Sequence, residues 1–233
     1  MLGWRERIRM RTEGRGVISV LIVAVVVAFY LLCNSSFFET DQIEWTSLNY
    51  LRPHQLDAFL EFSPINVWRL DSRELKAALL EHPWIVSANV RWRWPNRIIV
   101  DVVERKPIAQ LSSSQSWFLL DGEGRLLPPP VGTLDGSLLV VTNINVESTE
   151  QLVSTARLIS SIPDNLMGYL AEWNWDKRAF ITDAGTEVLI GTSVDLEQKF
   201  LLLERILADL AQRGEHATRI DLRIANNPVV TTR

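Results

Sequence analysis

The longest apolar stretch of the chain lies near its N-terminus, at residues 17–33, and reads VISVLIVAVVVAFYLLC. It contains one serine and no charged residue. A helix on the surface of a soluble protein would show a polar stripe, which this stretch lacks. Its length is just sufficient to cross the hydrocarbon core of a membrane. The pattern therefore predicts a single N-terminal transmembrane helix over residues 17–33.

A cleaved signal peptide is the closer of two alternatives, and a buried core helix is the other. The stretch is long for a signal-peptide core, and Leu32 stands before Cys33 where a lipoprotein signal has a small residue. Residues 1–16 carry five arginines and two glutamates, and the next basic residue after the stretch is Arg52. This charge bias predicts a cytoplasmic tail over residues 1–16, with everything after Asn34 on the other side of the membrane.

Strand and helix patterns alternate over residues 37–106. Residues 43–47 alternate between apolar and polar, as in a half-buried strand. Pro53 is placed to open a short helix, and Asp71 with Glu74 forms a capping-box pattern for a second helix. Two further alternating runs flank Pro95-Asn96, which favours a hairpin. The resulting order, β-α-α-β-β, is typical of a POTRA module.

The first strand of that hairpin interleaves tryptophans with arginines, in the sequence VRWRWP at residues 90–95. Such interleaving also occurs on surfaces that bind nucleic acid. The net charge is −4 although residues 1–16 are basic, so the rest of the chain is acidic and does not resemble a nucleic-acid-binding face. We therefore expect Trp92 and Trp94 to cover the helices, and Arg91 and Arg93 to face solvent.

Beyond Pro107 the chain is rich in strand patterns and tight turns. Asp121-Gly122 predicts a hairpin, and residues 170–192 predict two or three further strands. A helix is expected from Ser148 to about residue 162, and a longer one from about residue 195 to Gly214. The longer helix has an apolar stripe at spacings of three and four, formed by Leu196, Phe200, Leu203, Leu207 and Leu210. We expect an α+β chain whose second domain, residues 107–233, is β-rich with flanking helices.

The residue types give no support for catalysis or for metal binding. Cys33 is the sole cysteine, and the three histidines (His54, His82 and His216) are far apart in the sequence. No motif of a hydrolase, a nucleotide-binding loop or a metalloprotease occurs. The sequence predicts no catalytic residue, no metal site and no cofactor, and hence a protein that is not an enzyme.

The segment HPWIVSANVRWRWPNRIIVDVVERKPIAQL, residues 82–111, resembles the POTRA signature of the bacterial division proteins FtsQ and DivIB. The turn Asp121-x-x-Gly124 also matches a turn of that family. With the basic tail, the apolar span and the β-rich region, the resemblance covers nearly the whole chain. The signature positions are Pro83, Trp84, Val90, Arg91, Trp94, Pro95, Glu104, Arg105 and Pro107.

The resemblance implies a non-catalytic, single-pass scaffold of the division machinery in the bacterial inner membrane, at the septum. Its partners would be FtsB-like (DivIC in Gram-positive bacteria) and FtsL-like membrane proteins. In the family, a sheet edge near the C-terminus receives a strand from FtsB. The corresponding segment of this chain is residues 224–232. The implied contact residues are Arg223, Ile224, Val229, Val230 and Thr231.

Two features of this segment depart from the family pattern, and two other functions remain as alternatives. Pro228 removes one backbone donor, and Thr231 and Thr232 stand where relatives have a tryptophan. An ordinary terminal edge strand is the plain structural interpretation.

The alternative functions are a POTRA-type component of secretion or outer-membrane assembly, and a membrane-tethered cell-wall enzyme. The first usually continues into a membrane β-barrel, and the second lacks a catalytic motif.

Overall fold

The computed structural model describes residues 4–40, 42–112, 117–130 and 138–232. The chain divides into two compact units, Met1–Val103 and Glu104–Arg233. The first unit begins with helix α1, Trp4–Cys33. Its further elements are β1 Glu39–Thr40, β2 Ile43–Thr46, α2 Pro53–Leu60, β3 Ile65–Asn66, α3 Ser72–Leu80, β4 Ile85–Arg93 and β5 Arg97–Glu104.

Among the residues with a described placement, no helix combines the length and the apolar character needed to cross a membrane. The transmembrane helix expected over residues 17–33 therefore stays a prediction.

The predicted order β-α-α-β-β is present in the first unit as β2, α2, α3, β4 and β5. These strands form a three-stranded sheet in the order β2-β5-β4, with β2 parallel to β5. The small antiparallel pair β1–β3 was not predicted. Helix α3 begins as expected, because the Asp71 carboxylate accepts hydrogen bonds from the backbone N–H groups of Arg73 and Glu74.

The core of this unit lies between the two helices and the sheet. Ile98, Val100 and Val102 of β5 are buried, and they lie on one face of the strand as the alternation predicted. Trp84, in the loop before β4, is 1% exposed, and its ring centroid lies 5.2 Å from that of Tyr50. Burying each such apolar side chain stabilises the unit by about 2 kcal/mol.

The expectation that Trp92 and Trp94 cover the helices is wrong. These rings are 43% and 68% exposed, whereas the buried positions of β4 are Ile85 and Ala88, three residues apart. A spacing of three interrupts the strict alternation of a strand, so the face of β4 that starts in the core does not continue to Trp94. The expected exposure of Arg91 and Arg93 is confirmed.

In the described part of the chain, the second unit is built on one nine-stranded sheet, in the order β14-β13-β12-β11-β10-β9-β6-β7-β8. Its helices are α4 Thr149–Ser160, α5 Asp164–Met167 and α6 Leu196–Arg213. Its strands are β6 Pro107–Ser112, β7 Trp117–Asp121, β8 Leu126–Leu127, β9 Leu139–Thr142, β10 Leu170–Asn174, β11 Ala179–Thr182, β12 Glu187–Leu189, β13 Ala217–Asp221 and β14 Val229–Thr232. The mixed α+β class with a β-rich second part is confirmed.

The connections of this sheet explain where its helices lie in the sequence. β9 is parallel to β10, and β12 is parallel to β13. A parallel pair needs a crossover connection, and α4 with α5 provides the first crossover, while α6 provides the second. The predicted stripe of α6 is confirmed, since Phe200 and Leu203 are fully buried and Leu210 is 8% exposed.

The hairpin of β7 and β8 closes through the predicted turn at Asp121. The Asp121 carboxylate accepts hydrogen bonds from the N–H groups of Glu123 (2.9 Å) and Arg125 (2.7 Å). Gly124 has φ +85°, and a Cβ at this position would lie 2.7 Å from the Cα of Val153 in α4. Glycine is therefore required here both by the backbone conformation and by the close approach of α4.

Candidate partner-binding site

Among the residues that the structure describes, strand β14 forms one edge of the nine-stranded sheet and pairs with β13 alone. The pairing is antiparallel, with Ile220 opposite Val230 and Asp221 opposite Val229. All four residues of β14 are exposed, Val229 by 55% and Val230 by 38%. An edge strand has one row of backbone N–H and C=O groups without partners in the sheet, so another chain can pair with it.

The loop between β13 and β14, residues 222–228, is held to the rest of the unit at several points. Leu222 is fully buried, and its N–H donates to the carbonyl of Leu189 at 2.8 Å. The side chain of Gln198, in α6, donates to Asn226 at 3.2 Å. These contacts fix the entry into β14, so the edge is preorganised before any partner binds.

An ion pair lies beside this edge. Arg223 Nη2 lies 2.7 Å from Asp221 Oδ2, and its Nε lies 3.0 Å from Oδ1. The hydrogen bonds from the Arg223 side chain hold the pKa of Asp221 below its usual value, and the same bonds raise the pKa of Arg223. The aliphatic part of the Arg223 side chain packs on Gly191. A Cβ added to Gly191 would lie 3.0 Å from the Cγ of Arg223.

The ion pair, the loop and β14 together surround a shallow depression of about 390 Å³. It is lined by Asp221, Arg223, Ile224, Asn227 and Val229. Ile224 is 66% exposed and lies next to the exposed Val229 in this lining. The edge therefore offers backbone pairing together with an adjacent apolar and charged surface, and both are features of strand-addition sites.

The opposite edge of the sheet is less suited to pairing. Strand β8 has two residues, and Leu127 is fully buried. Three prolines follow directly at positions 128–130, and a proline has no backbone N–H to donate. Of the two sheet edges in the described part of this unit, β14 is the one that exposes a longer strand.

The predicted contact residues fall into two groups. Val229, Val230 and Thr231 lie in β14, whereas Arg223 and Ile224 lie in the loop before it. Ile224 does not continue β13, because that strand ends at Asp221 and the chain turns after it. Pro228 lies just outside the strand, so it removes no donor from β14 itself.

The signature positions of the first unit lie mainly at structural points. Trp84 is in the core, and Trp94 with Pro95 forms the turn between β4 and β5. Pro83 and Arg91 are exposed, and Val90 is half-buried. Glu104 and Arg105 are buried and are the first two residues of the second unit. Pro107 is half-buried and begins β6.

Sequence reasoning missed the partners of Arg105. Its Nη1 lies 2.8 Å from Asp121 and 2.8 Å from Glu123, and the side chains of Arg105 and Asp121 are 9% and 4% exposed. Burial lowers the pKa of Arg105, but hydrogen bonds to the two carboxylates outweigh burial and raise it. In the described parts of the chain, no group of three or more histidine, cysteine, aspartate or glutamate residues is placed to hold a metal ion.

The comparisons with known proteins agree with this architecture. Residues 58–105 match the family model "POTRA domain, FtsQ-type", and residues 110–223 match "Cell division protein FtsQ/DivIB, C-terminal". Cell division protein FtsQ of Anaeromyxobacter sp. (strain K) is 30% identical over 210 residues, which is 81% of this chain and 68% of that protein. The FtsQ of Chloroflexus aurantiacus is 27% identical over 240 residues, which is 96% of this chain and 85% of that protein.

A solved structure, the major extracytoplasmic domain of the division protein DivIB from Geobacillus stearothermophilus, is 19% identical, with a TM-score of 0.33. It covers 47% of this chain and 93% of that domain. The two matched domains define the class, a POTRA-bearing cell division protein. The chain belongs to the FtsQ/DivIB family of cell division proteins.

Proposed function

We propose that the protein is a non-catalytic, single-pass membrane scaffold of the division machinery that recruits FtsB/DivIC-like and FtsL-like partners. The family is one of cell division proteins and is not a known enzyme family. In this proposal residues 17–33 span the inner membrane at the septum, residues 1–16 are cytoplasmic, and the domains 37–106 and 107–233 are extracytoplasmic.

The single observation that carries the proposal is the exposed edge strand β14. It ends a sheet of nine strands, and its two valines and two threonines are all exposed. A strand from an FtsB-like partner could continue the sheet through main-chain hydrogen bonds, and side-chain pockets beside the strand would provide specificity. The depression lined by Arg223, Ile224 and Val229 supports such a pocket.

Strand addition depends on a surface that tolerates close approach of a second backbone. Val229 and Val230 present apolar surface at the edge, which a partner strand would bury. A carboxylate at either position would have to be desolvated or left facing an apolar neighbour, which is costly. We therefore expect the double change V229E/V230E to weaken binding of the FtsB-like partner from the same organism by about tenfold or more, or about 1.4 kcal/mol.

Titration of the full-length protein with that partner measures the effect, and a pull-down from membranes tests it in the natural setting. The matched control is Val194→Glu, because Val194 is 61% exposed in the same unit and lies outside β14. The control should bind normally, and both variants should keep the thermal unfolding midpoint of the wild type. Equal binding by a folded V229E/V230E variant would move the interface elsewhere.

A further inference from the structure

Five aromatic rings form a continuous row in the first unit, which we call the aromatic patch. Phe37 lies 6.0 Å from Trp94 and 5.2 Å from Phe38, measured between ring centroids. Phe38 lies 5.6 Å from Trp68, and Trp68 lies 4.8 Å from Trp92. The row thus joins the turn after α1, the loop before α3 and the end of β4, which are distant in sequence.

Four of these rings are exposed although they contact one another. The exposed fractions are 51% for Phe37, 53% for Trp68, 43% for Trp92 and 68% for Trp94, whereas Phe38 is 6% exposed. A contiguous apolar surface rimmed by polar residues usually marks a binding surface. The four exposed rings lie outside the core, whose buried side chains include Trp84 and Ile98, Val100 and Val102 of β5.

The patch lies directly at the C-terminal end of α1. The carbonyl of Cys33, the last residue of the helix, accepts a hydrogen bond from the Asn66 side chain at 2.8 Å. Arg69 donates to the side chain of Asn34 at 2.7 Å. Trp68 stands between Asn66 and Arg69 in the sequence, so these two bonds hold the middle of the patch against the end of the helix.

The exposed surface of α1 beside the patch is apolar. From residue 18 to residue 32 its exposed side chains include isoleucines, valines, leucines, Phe29 and Tyr30, each about half exposed or more. The aromatic patch continues this apolar surface at the point where the helix ends. The chemistry therefore changes from aliphatic side chains along the helix to tryptophans at its end, where Arg69 also lies, bonded to Asn34.

That gradient matches the cross-section of a bilayer. Aliphatic side chains suit the hydrocarbon core, tryptophan is enriched at the level of the headgroups, and arginine meets the phosphates. We propose that the aromatic patch lies in the headgroup region on the outer side of the membrane that α1 enters, so that the first unit rests on the lipid surface. This inference depends on the membrane attachment proposed above.

Bound in this way, the patch restricts the orientation of the first unit relative to the membrane. The bonds of Asn66 and Arg69 to the end of the helix are few, and contact of the patch with lipid would add a second point of attachment. The indole rings are suited to the role because each has an apolar body and a polar N–H. The Trp92 N–H already donates to the carbonyl of Pro95 at 3.4 Å, which holds this ring against the turn between β4 and β5.

Tryptophan fluorescence in full-length protein tests the placement. The protein would be reconstituted into vesicles of phosphatidylcholine and phosphatidylglycerol, with and without lipids brominated near the headgroup end of the acyl chains. Bromine quenches tryptophans that lie at that depth. The chain has 9 tryptophans, and the triple variant W68F/W92F/W94F removes three reporters while keeping aromatic rings. We expect it to lose about half or more of the quenchable emission, because interfacial tryptophans are the ones within reach of bromine.

Trp117→Phe is the matched control, since Trp117 is 49% exposed but lies in the second unit. Loss of the Trp117 indole should reduce the total tryptophan emission and leave the emission that brominated lipid quenches unchanged. Flotation of the vesicles separates the two proposals. Protein that does not float with the lipid overturns both the membrane attachment and the placement of the patch. Protein that floats, with equal quenching in the wild type and the triple variant, overturns the placement alone and would favour a protein partner on these rings.

Discussion

At the scale of single residues, the buried ion pair of Arg105 and Asp121 joins the start of the second unit to the turn between β7 and β8. Asp121 closes the turn between β7 and β8 with one carboxylate oxygen and holds Arg105 with the other. One carboxylate thus organises a hairpin and neutralises a buried cation. Removing one partner of such a pair leaves an uncompensated charge in the interior, which costs far more than the pair contributes.

We predict that Arg105→Ala lowers the free energy of unfolding by about 3–5 kcal/mol, because Asp121 would remain buried without its cation. Chemical denaturation followed by circular dichroism measures the loss. Arg125→Ala is the control, since the Arg125 side chain is 67% exposed and lies 3.7 Å from Glu123. The control should change stability by less than about 0.5 kcal/mol. Similar effects of the two substitutions would refute the role of burial.

Part of this arrangement could be predicted from the sequence. Asp121 and Gly124 mark a tight turn by their residue types, because a short acceptor and a residue that tolerates positive φ are what such a turn requires. The ion pair could not be predicted, because Arg105 and Asp121 are 16 residues apart. Their meeting depends on the antiparallel pairing of β6 with β7, which brings Pro107 opposite Asp121.

At the scale of elements, the end of β13 and the start of β14 are joined by charge as well as by backbone pairing. Arg223 folds back on Asp221 immediately after β13 ends. The ionised Asp221 is favoured in the folded protein, since its pKa is held low by Arg223. Such a carboxylate contributes stability that is present above its unfolded-state pKa of about 3.9, and that stability is lost as the pH falls through the lower folded-state pKa.

We predict that Asp221→Asn is less stable than the wild type at neutral pH by up to about 1 kcal/mol, a small value because the Arg223 side chain is largely exposed. The difference should shrink as the pH falls below about 4, where the wild-type carboxyl is progressively protonated. Urea unfolding over a range of pH measures it.

The Arg223→Gln background is the control for this pH dependence, because it removes the main cause of the lowered pKa. In that background, Asp221→Asn should have a smaller pH-dependent effect. A stability difference between wild type and Asp221→Asn that stays constant from neutral to acid pH would contradict the linkage to Asp221.

The elements with strong local signals were predicted well. The helix with a stripe from Leu196 to Leu210 and the alternating strand β5 agree with their patterns, because one face of each is buried by its own unit. The failure lies where a strand is irregular. Trp92 and Trp94 are exposed because β4 does not keep a single buried face.

At the scale of the whole molecule, the role of α1 can be separated from the folding of residues 34–233. The side chains of α1 from Ile18 to Leu32 are largely exposed, and Phe38 is the first buried residue after the helix. A cut after Cys33 would remove the hydrogen bond from Asn66 to the Cys33 carbonyl, together with the bonds that Asn34 donates to Tyr30 and Ser35 donates to Leu32. A bond of this kind contributes about 1 kcal/mol.

We predict that a chain beginning at Asn34 folds and binds the FtsB-like partner, with a thermal unfolding midpoint within several degrees of the full-length protein. It should no longer float with lipid vesicles, because the apolar segment 17–33 is absent. Calorimetry and flotation check the two parts. Flotation equal to that of the full-length chain would locate membrane attachment outside α1, and failure to fold would show that α1 contributes to the core.

The sequence by itself determined most of the local elements, the mixed α+β class and the family. These depend on periodicity, turn chemistry and fixed motif spacings, which act between residues that are neighbours in the chain. Only the tertiary structure decided which rings form the aromatic patch and which carboxylates meet Arg105. Each of those depends on residues brought together from distant parts of the chain, because pairing and packing act through space and leave no periodic signal in the sequence.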